Sequence, residues 1–131
     1  MKLNYQREIT RQDLENIFVT AIEGGSNYWY FFDEEACFMV RKAVPKDKDP
    51  YFSTAVLSAV IDHGVELPVS DVEDGEVIGT ISLSTMEERL QKLFDNKELR
   101  PALENLLDDN GDASDADVVF QFICMGEVVY G

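Results

Sequence analysis

Apolar residues recur along this chain in two periods, and the switches between them mark its elements. Leu3, Tyr5, Arg7 and Ile9 alternate with polar neighbours, which predicts a short first strand. Thr10, with Asp13 three residues on, has the form of a helix cap, and Leu14, Ile17, Phe18, Ala21 and Ile22 follow at helical spacing. Gly24 and Gly25 stop that helix. Five consecutive aromatics then fill 28–32, a short extended segment. Neighbours in an extended segment alternate faces, so Tyr28, Trp29 and Tyr30 cannot all point inward. Residues 36–40 are apolar throughout, and their periodicity fits a strand or a helix. Asp49 as cap and Pro50 at the first position predict a helix over 50–63, with Phe52, Ala55, Val56, Ala59 and Val60 on one face. Residues 65–69 and 76–83 have strand character around the turn Glu73-Asp74-Gly75.

Ser84 with Glu87 predicts a second capping box and a helix over 85–95 that buries Met86, Leu90, Leu93 and Phe94. A short helix over 101–107 follows. Ser114 with Asp117 predicts the start of a last helix, 115–125, which Gly126 ends, and 127–130 suits a terminal strand. Scattered strands among non-alternating helices predict one α+β domain over 1–131. It would have a small, mainly antiparallel or mixed sheet packed with about four to five helices.

Composition supports a folded chain. At 131 residues and 45% apolar it can bury one core without staples. No apolar run approaches the roughly 20 residues a membrane span needs, and the first residues lack the apolar core of a secretory leader. Cys37 and Cys124 are far apart, each within an apolar stretch, which predicts free buried thiols in a reducing cytoplasm.

Charge sharpens the picture. The net charge is −15, and it is unevenly spread. No Lys or Arg lies between Lys48 and Arg89 or after Arg100, and these two blocks hold nine and seven of the 26 acids. The rest of the chain sets ten acids against all 11 basic residues. Such a field repels nucleic acid and anionic lipid, so direct binding to either is not expected. Solubility is the plain use of the acids. The sharper use is imitation of a nucleic-acid backbone.

Catalytic and metal signatures are weak. His63 is the only histidine, so no histidine cluster can form, and its place at a helix end suits a dipole partner. No serine sits in a nucleophile-elbow pattern. Residues 108–117 resemble a calcium loop in composition only. Aligning Gly111 with the loop glycine puts Leu106 at the first ligand position and Asp117, not Glu, at the last. Gly24-Gly25-Ser26 follows a helix and lacks the lysine of a phosphate loop. No catalytic residue, metal ligand or cofactor is expected.

That leaves the aromatic segment. Its rings can serve as core, and Ser26 and Asn27 beside them supply polar groups for a contact. The predicted contact residues are Glu23, Ser26, Asn27, Tyr28, Trp29 and Tyr30, with Gln121 as a neighbour. The stretch from Ala21 to Tyr30, containing Glu23-Gly24-Gly25-Ser26-Asn27-Tyr28-Trp29-Tyr30, resembles a block found in small uncharacterised proteins of bacteriophages and prophages. The stretch Val69 to Gly79 is similar to a second block of that group. Asp115-Ala116-Asp117, Gln121 and the run Gly126 to Gly131 are similar to its tail. The resemblance implies an accessory protein of a phage or integrated element, made in the bacterial cytoplasm, without implying a mechanism. The expected function is non-enzymatic binding of a small ligand or host protein through the aromatic segment. The alternative is acidic mimicry that inhibits a host DNA- or RNA-binding defence protein. A third reading is an enzyme with carboxylates around a divalent metal.

Overall fold

Val69, Leu67 and Ile81 are fully buried, and they sit on the hairpin that anchors the molecule. The computed structural model describes residues 1–3 and 7–131. In it Leu67–Asp71 (β2) pairs antiparallel with Val77–Ile81 (β3), with a bulge between Val69 and Ser70. Tyr30–Phe31 (β1) pairs antiparallel with the other edge of β2, Tyr30 opposite Asp71. The sheet order is β1-β2-β3.

Six α-helices surround this sheet among the described residues, giving an α+β domain. Arg11–Thr20 (α1) begins at the Thr10–Asp13 capping box predicted above. Its end widens into a π-turn over Ala21–Gly25, where Ser26 N donates to Ala21 O at 3.0 Å. Glu34–Ala43 (α2) settles the ambiguous run as a helix. Asp33 caps it through Ala36 N, acids open it and Arg41 and Lys42 close it, the order that complements a helix dipole. Phe52–His63 (α3) ends at Gly64, whose φ of 68° is the left-handed stop glycine permits. Leu83–Asp95 (α4) and Arg100–Leu107 (α5) lead to Ala113–Met125 (α6).

Helix α6 is the core's axis. Ala116, Val119, Phe120, Phe122, Ile123 and Cys124 are all buried on it. The Phe120 ring meets Phe18, Trp29 and Tyr30 with centroids 5.8, 6.1 and 5.2 Å away. Full burial of a phenylalanine stabilises by about 1.5–3 kcal/mol. Strand β3 crosses α6 at Gly79, where a Cβ would lie 3.0 Å from the Cys124 carbonyl carbon and from Met125 Cγ. Arg89 Nη1 donates to Thr80 O, Ile123 O and Cys124 O at 2.8–2.9 Å, tying α4 to β3 and to the end of α6.

Several expected boundaries move, each for a local reason. Of the expected first strand the described residues show a bridge between Lys2 and Glu8, and Tyr5 lies outside the described residues. Helix α3 starts at Phe52, because the Asp49 side chain bonds Tyr51 N and Thr54 Oγ1 and holds Pro50 outside the helix. The cap of α4 is Ser82 and not Ser84: Ser82 Oγ accepts from Ser84 N. The cap of α6 is Asp112, boxed with Asp115, so neither Ser114 nor Asp117 serves there. Residues 127–130 form no strand. Both cysteines are free, Cys124 buried but Cys37 only half-buried.

Candidate binding site

Released from capping, Asp117 sits on the buried side of α6 with only 8% of its surface exposed. A carboxylate there must find donors, since an unpaired buried charge is costly. The aromatic segment supplies them. The π-turn directs the chain across α6, and Gly25 permits the approach: a Cβ there would lie 3.1 Å from Ala113 O. Ser26 Oγ donates to Asp117 Oδ1 at 2.6 Å and Trp29 Nε1 to the same oxygen at 2.8 Å. Tyr28 OH donates to Oδ2 at 2.5 Å and Gln121 Nε2 to Oδ2 at 3.1 Å. Asp117 thus accepts four hydrogen bonds, which fills the roughly four acceptor positions of a carboxylate.

Gln121, one turn further along α6, carries the network to the tail. Its Oε1 accepts from Val129 N and Tyr130 N at 2.9 and 3.0 Å, and its Nε2 also donates to Tyr130 O at 3.1 Å. The amide is therefore fixed in one orientation. The Tyr130 ring stacks on Trp29, 5.2 Å between centroids and 11° between planes, and Tyr130 OH donates to Asp71 Oδ2 at 2.8 Å. The Tyr28 phenol is pushed up to about 12, by desolvation first and then by its bond to Asp117. The Tyr130 phenol is raised, chiefly by its bond to Asp71, and the Asp71 carboxyl is lowered by the Glu73 N–H and by Tyr130.

Two clefts flank this network. The larger, about 630 Å³, runs along α6 past Ser114, Asp117, Val118 and Gln121, with Gly24, Gly25, Tyr28 and Tyr130 opposite. The smaller, about 350 Å³, is bounded by Tyr28, Trp29, Asp71, Glu73 and Tyr130. Tyr28 and Tyr130 line both.

The predicted contact residues divide. Ser26, Trp29, Tyr30 and Gln121 are buried and Tyr28 is 53% exposed. The segment is not extended throughout: residues 27–29 form a turn and only Tyr30–Phe31 are a strand, so the neighbours Trp29 and Tyr30 are buried together and the turn, not alternation, leaves Tyr28 at the surface. Asn27 is exposed and lines a separate cleft with Phe31, Phe32 and Phe52. Glu23 is exposed and accepts from Ser53 Oγ at 3.3 Å, outside the Asp117 network. Asp117, Tyr130 and Asp71 join the site although none is among the predicted contact residues. The signal for Asp117 and Gln121 was present: two polar residues four apart on an otherwise apolar helix face. His63 is exposed and lines a further cleft with Arg11, Glu15 and Lys48. Among the described residues no group of three His, Cys, Asp or Glu is placed to hold a metal ion, and no helix is long and apolar enough to cross a membrane.

Comparison of the chain with protein-family models, with curated proteins and with solved structures gave no match.

Proposed function

We propose that this chain is a non-enzymatic accessory protein of a phage or prophage, acting in the bacterial cytoplasm. It works by binding a small ligand or a segment of a host protein in the clefts at Tyr28 and Tyr130. One observation carries the reading: the carboxylate beneath the clefts is saturated by four internal donors. A general base needs a free acceptor position within reach of the proton it takes, and Asp117 has none. Its network instead fixes the rings that form the cleft walls, which is what a binding surface requires. The phage setting rests on the three blocks of resemblance, and Ser26, Tyr28 and Trp29, then Asp71, then Asp117, Gln121 and Tyr130 come from those blocks in order.

The test is capture from a bacterial host lysate by the parent, Tyr28→Ala and Val118→Glu, with mass spectrometry of proteins and small molecules. Both substitutions alter cleft walls, and Trp29 emission reports whether the network survives. The reading expects a partner held by the parent and lost from Tyr28→Ala, since Tyr28 lines both clefts; loss from Val118→Glu as well assigns the partner to the larger cleft, and the melting temperature shows that both variants stay folded. Equal capture by all three, or none, would sink it.

The exposed acids favour a second reading. Glu73, Asp74, Glu76, Glu87, Glu88, Asp109 and Asp112 are exposed and make no ion pair among the described residues. A mimic of a nucleic-acid backbone would capture a basic host protein, with affinity falling steeply as salt rises. Salt-insensitive capture counts against it.

A further inference from the structure

The smaller cleft combines aromatic walls with negative charge and lacks any positive group. Tyr28, Trp29 and Tyr130 bound it, and so do Asp71 and Glu73. No Lys, Arg or His lines either this cleft or the larger one. The reason is legible in the sequence, because the walls come from 24–29, 71–73 and 113–131. These fall inside three stretches, 12–40, 64–88 and 101–131, that contain no Lys, Arg or His. The side-chain hydrogen-bond donors are also used up. Trp29 Nε1 and Tyr28 OH donate to Asp117, Tyr130 OH donates to Asp71, and Gln121 Nε2 is shared between Asp117 and Tyr130 O. Glu73 is exposed, and its carboxylate has no hydrogen-bond or ion-pair partner among the described residues. An anion would find no positive group and no spare side-chain donor among the residues that line this cleft. A cation would meet aromatic residues, whose ring faces attract positive charge, and carboxylates that balance it.

We propose that the cleft between Tyr28, Tyr130 and the Asp71–Glu73 turn receives an organic cation, an alkylammonium or guanidinium group, held against the tyrosine rings with Glu73 as counter-ion. The proposal rests on the binding reading above and names the chemistry of its ligand. The cleft volume of about 350 Å³ admits a trimethylammonium or guanidinium head with a short chain. Asp71 is fixed by the Glu73 N–H at 2.7 Å and by Tyr130 OH, so it holds the wall in place while Glu73 remains free to meet the ligand.

The test titrates the whole chain with choline, with its neutral isostere 3,3-dimethylbutan-1-ol, with N-acetylarginine amide, and with a short peptide containing that arginine. Trp29 emission and the Trp29 indole N–H resonance report binding, since Trp29 stacks on Tyr130. The expected result is that choline or the arginine amide binds at least about tenfold more tightly than the neutral alcohol. Glu73→Lys should then weaken the cation by about tenfold or more while leaving the melting temperature unchanged. Tighter binding of the peptide than of the free amide assigns the cation to a partner protein, and equal binding assigns it to a small molecule. Equal binding of choline and the alcohol overturns the cation and leaves an apolar cleft, so the binding reading survives alone. Binding unaffected by Glu73→Lys also overturns it. If no probe binds although the lysate capture succeeds, the cation is wrong and the cleft is right. If both fail, both readings fall.

Discussion

Asp117→Asn keeps the shape of the side chain and replaces one oxygen by an NH2 group, and no orientation of that amide suits the network. With NH2 at the Oδ1 position it faces Trp29 Nε1–H, an obligate donor now 2.8 Å from the oxygen. With NH2 at Oδ2 it faces Gln121 Nε2, 3.1 Å away. Gln121 cannot turn over, because its oxygen already accepts from Val129 N and Tyr130 N. Ser26 and Tyr28 can reorient their hydroxyls, but in one orientation the Trp29 N–H loses its acceptor, and in the other, one Gln121 N–H does while the second stays on Tyr130 O. A hydrogen bond to a charged group contributes about 1.5–3 kcal/mol, and a stranded buried donor costs about 1–3 kcal/mol more. The expected destabilisation is about 3 kcal/mol, which for a chain of this size lowers the melting temperature by about 10 °C. Urea unfolding followed by Trp29 emission measures it, and faster exchange of the Trp29 indole N–H locates it. A variant within about 1 kcal/mol of the parent, with its indole proton equally protected, would refute the hub role of Asp117.

Other substitutions test the frame and the titrating groups. Gly79→Ala should cost about 1–3 kcal/mol in urea unfolding, because its Cβ meets the rigid Cys124 carbonyl at the β3–α6 crossing. Arg89→Met keeps the packed stem but abandons three carbonyls, and should lower stability by about 2 kcal/mol. Asp62 is lowered to about 2, first by its hydrogen bond from Arg11. Its contribution is therefore present above the unfolded value of 3.8 and is lost as pH falls through about 2. The pair is exposed, so Asp62→Asn should remove less than about 1 kcal/mol at neutral pH and nothing at the acid end. Tyr28 is raised, so its contribution is complete below the unfolded value of 10 and is lost as pH rises through about 12. Near-ultraviolet absorbance should show the late phenol titration, and Tyr28→Phe should remove one late step.

The fold was legible where local signals agreed with tertiary need. The stripes Leu14–Ile17–Phe18 and Met86–Leu90–Leu93–Phe94 are buried as their spacing predicts. The Thr10–Asp13 box forms, and among the described residues neither side chain has a competing partner. Asp117 shows the opposite case. Its spacing from Ser114 matches a cap, but Asp112 and Asp115 provide an equally good one, and a buried position four residues before Gln121 outweighs a solvent-exposed role. The strand expected over 127–130 does not form for a related reason: the backbone of Val129 and Tyr130 is bound by a side chain, Gln121, and strand propensity cannot register that. Ser26 and Trp29 were found as residues, although their partners lie 91 and 88 positions away and no periodicity links them.

Those separations bear on the order in which the molecule is made. During synthesis residues 26–30 emerge long before Asp117, so the indole N–H and the serine hydroxyl have no internal acceptor while most of the chain is still being added. The segment that holds the single tryptophan therefore remains a hydrated, unclosed piece until α6 and then Tyr130 arrive. Its closure is a late event of high contact order, which slows folding relative to the helical pairs formed earlier. On ribosome-bound chains tethered through C-terminal linkers of increasing length, the shift of Trp29 emission should come abruptly, only after residue 121 has cleared the tunnel.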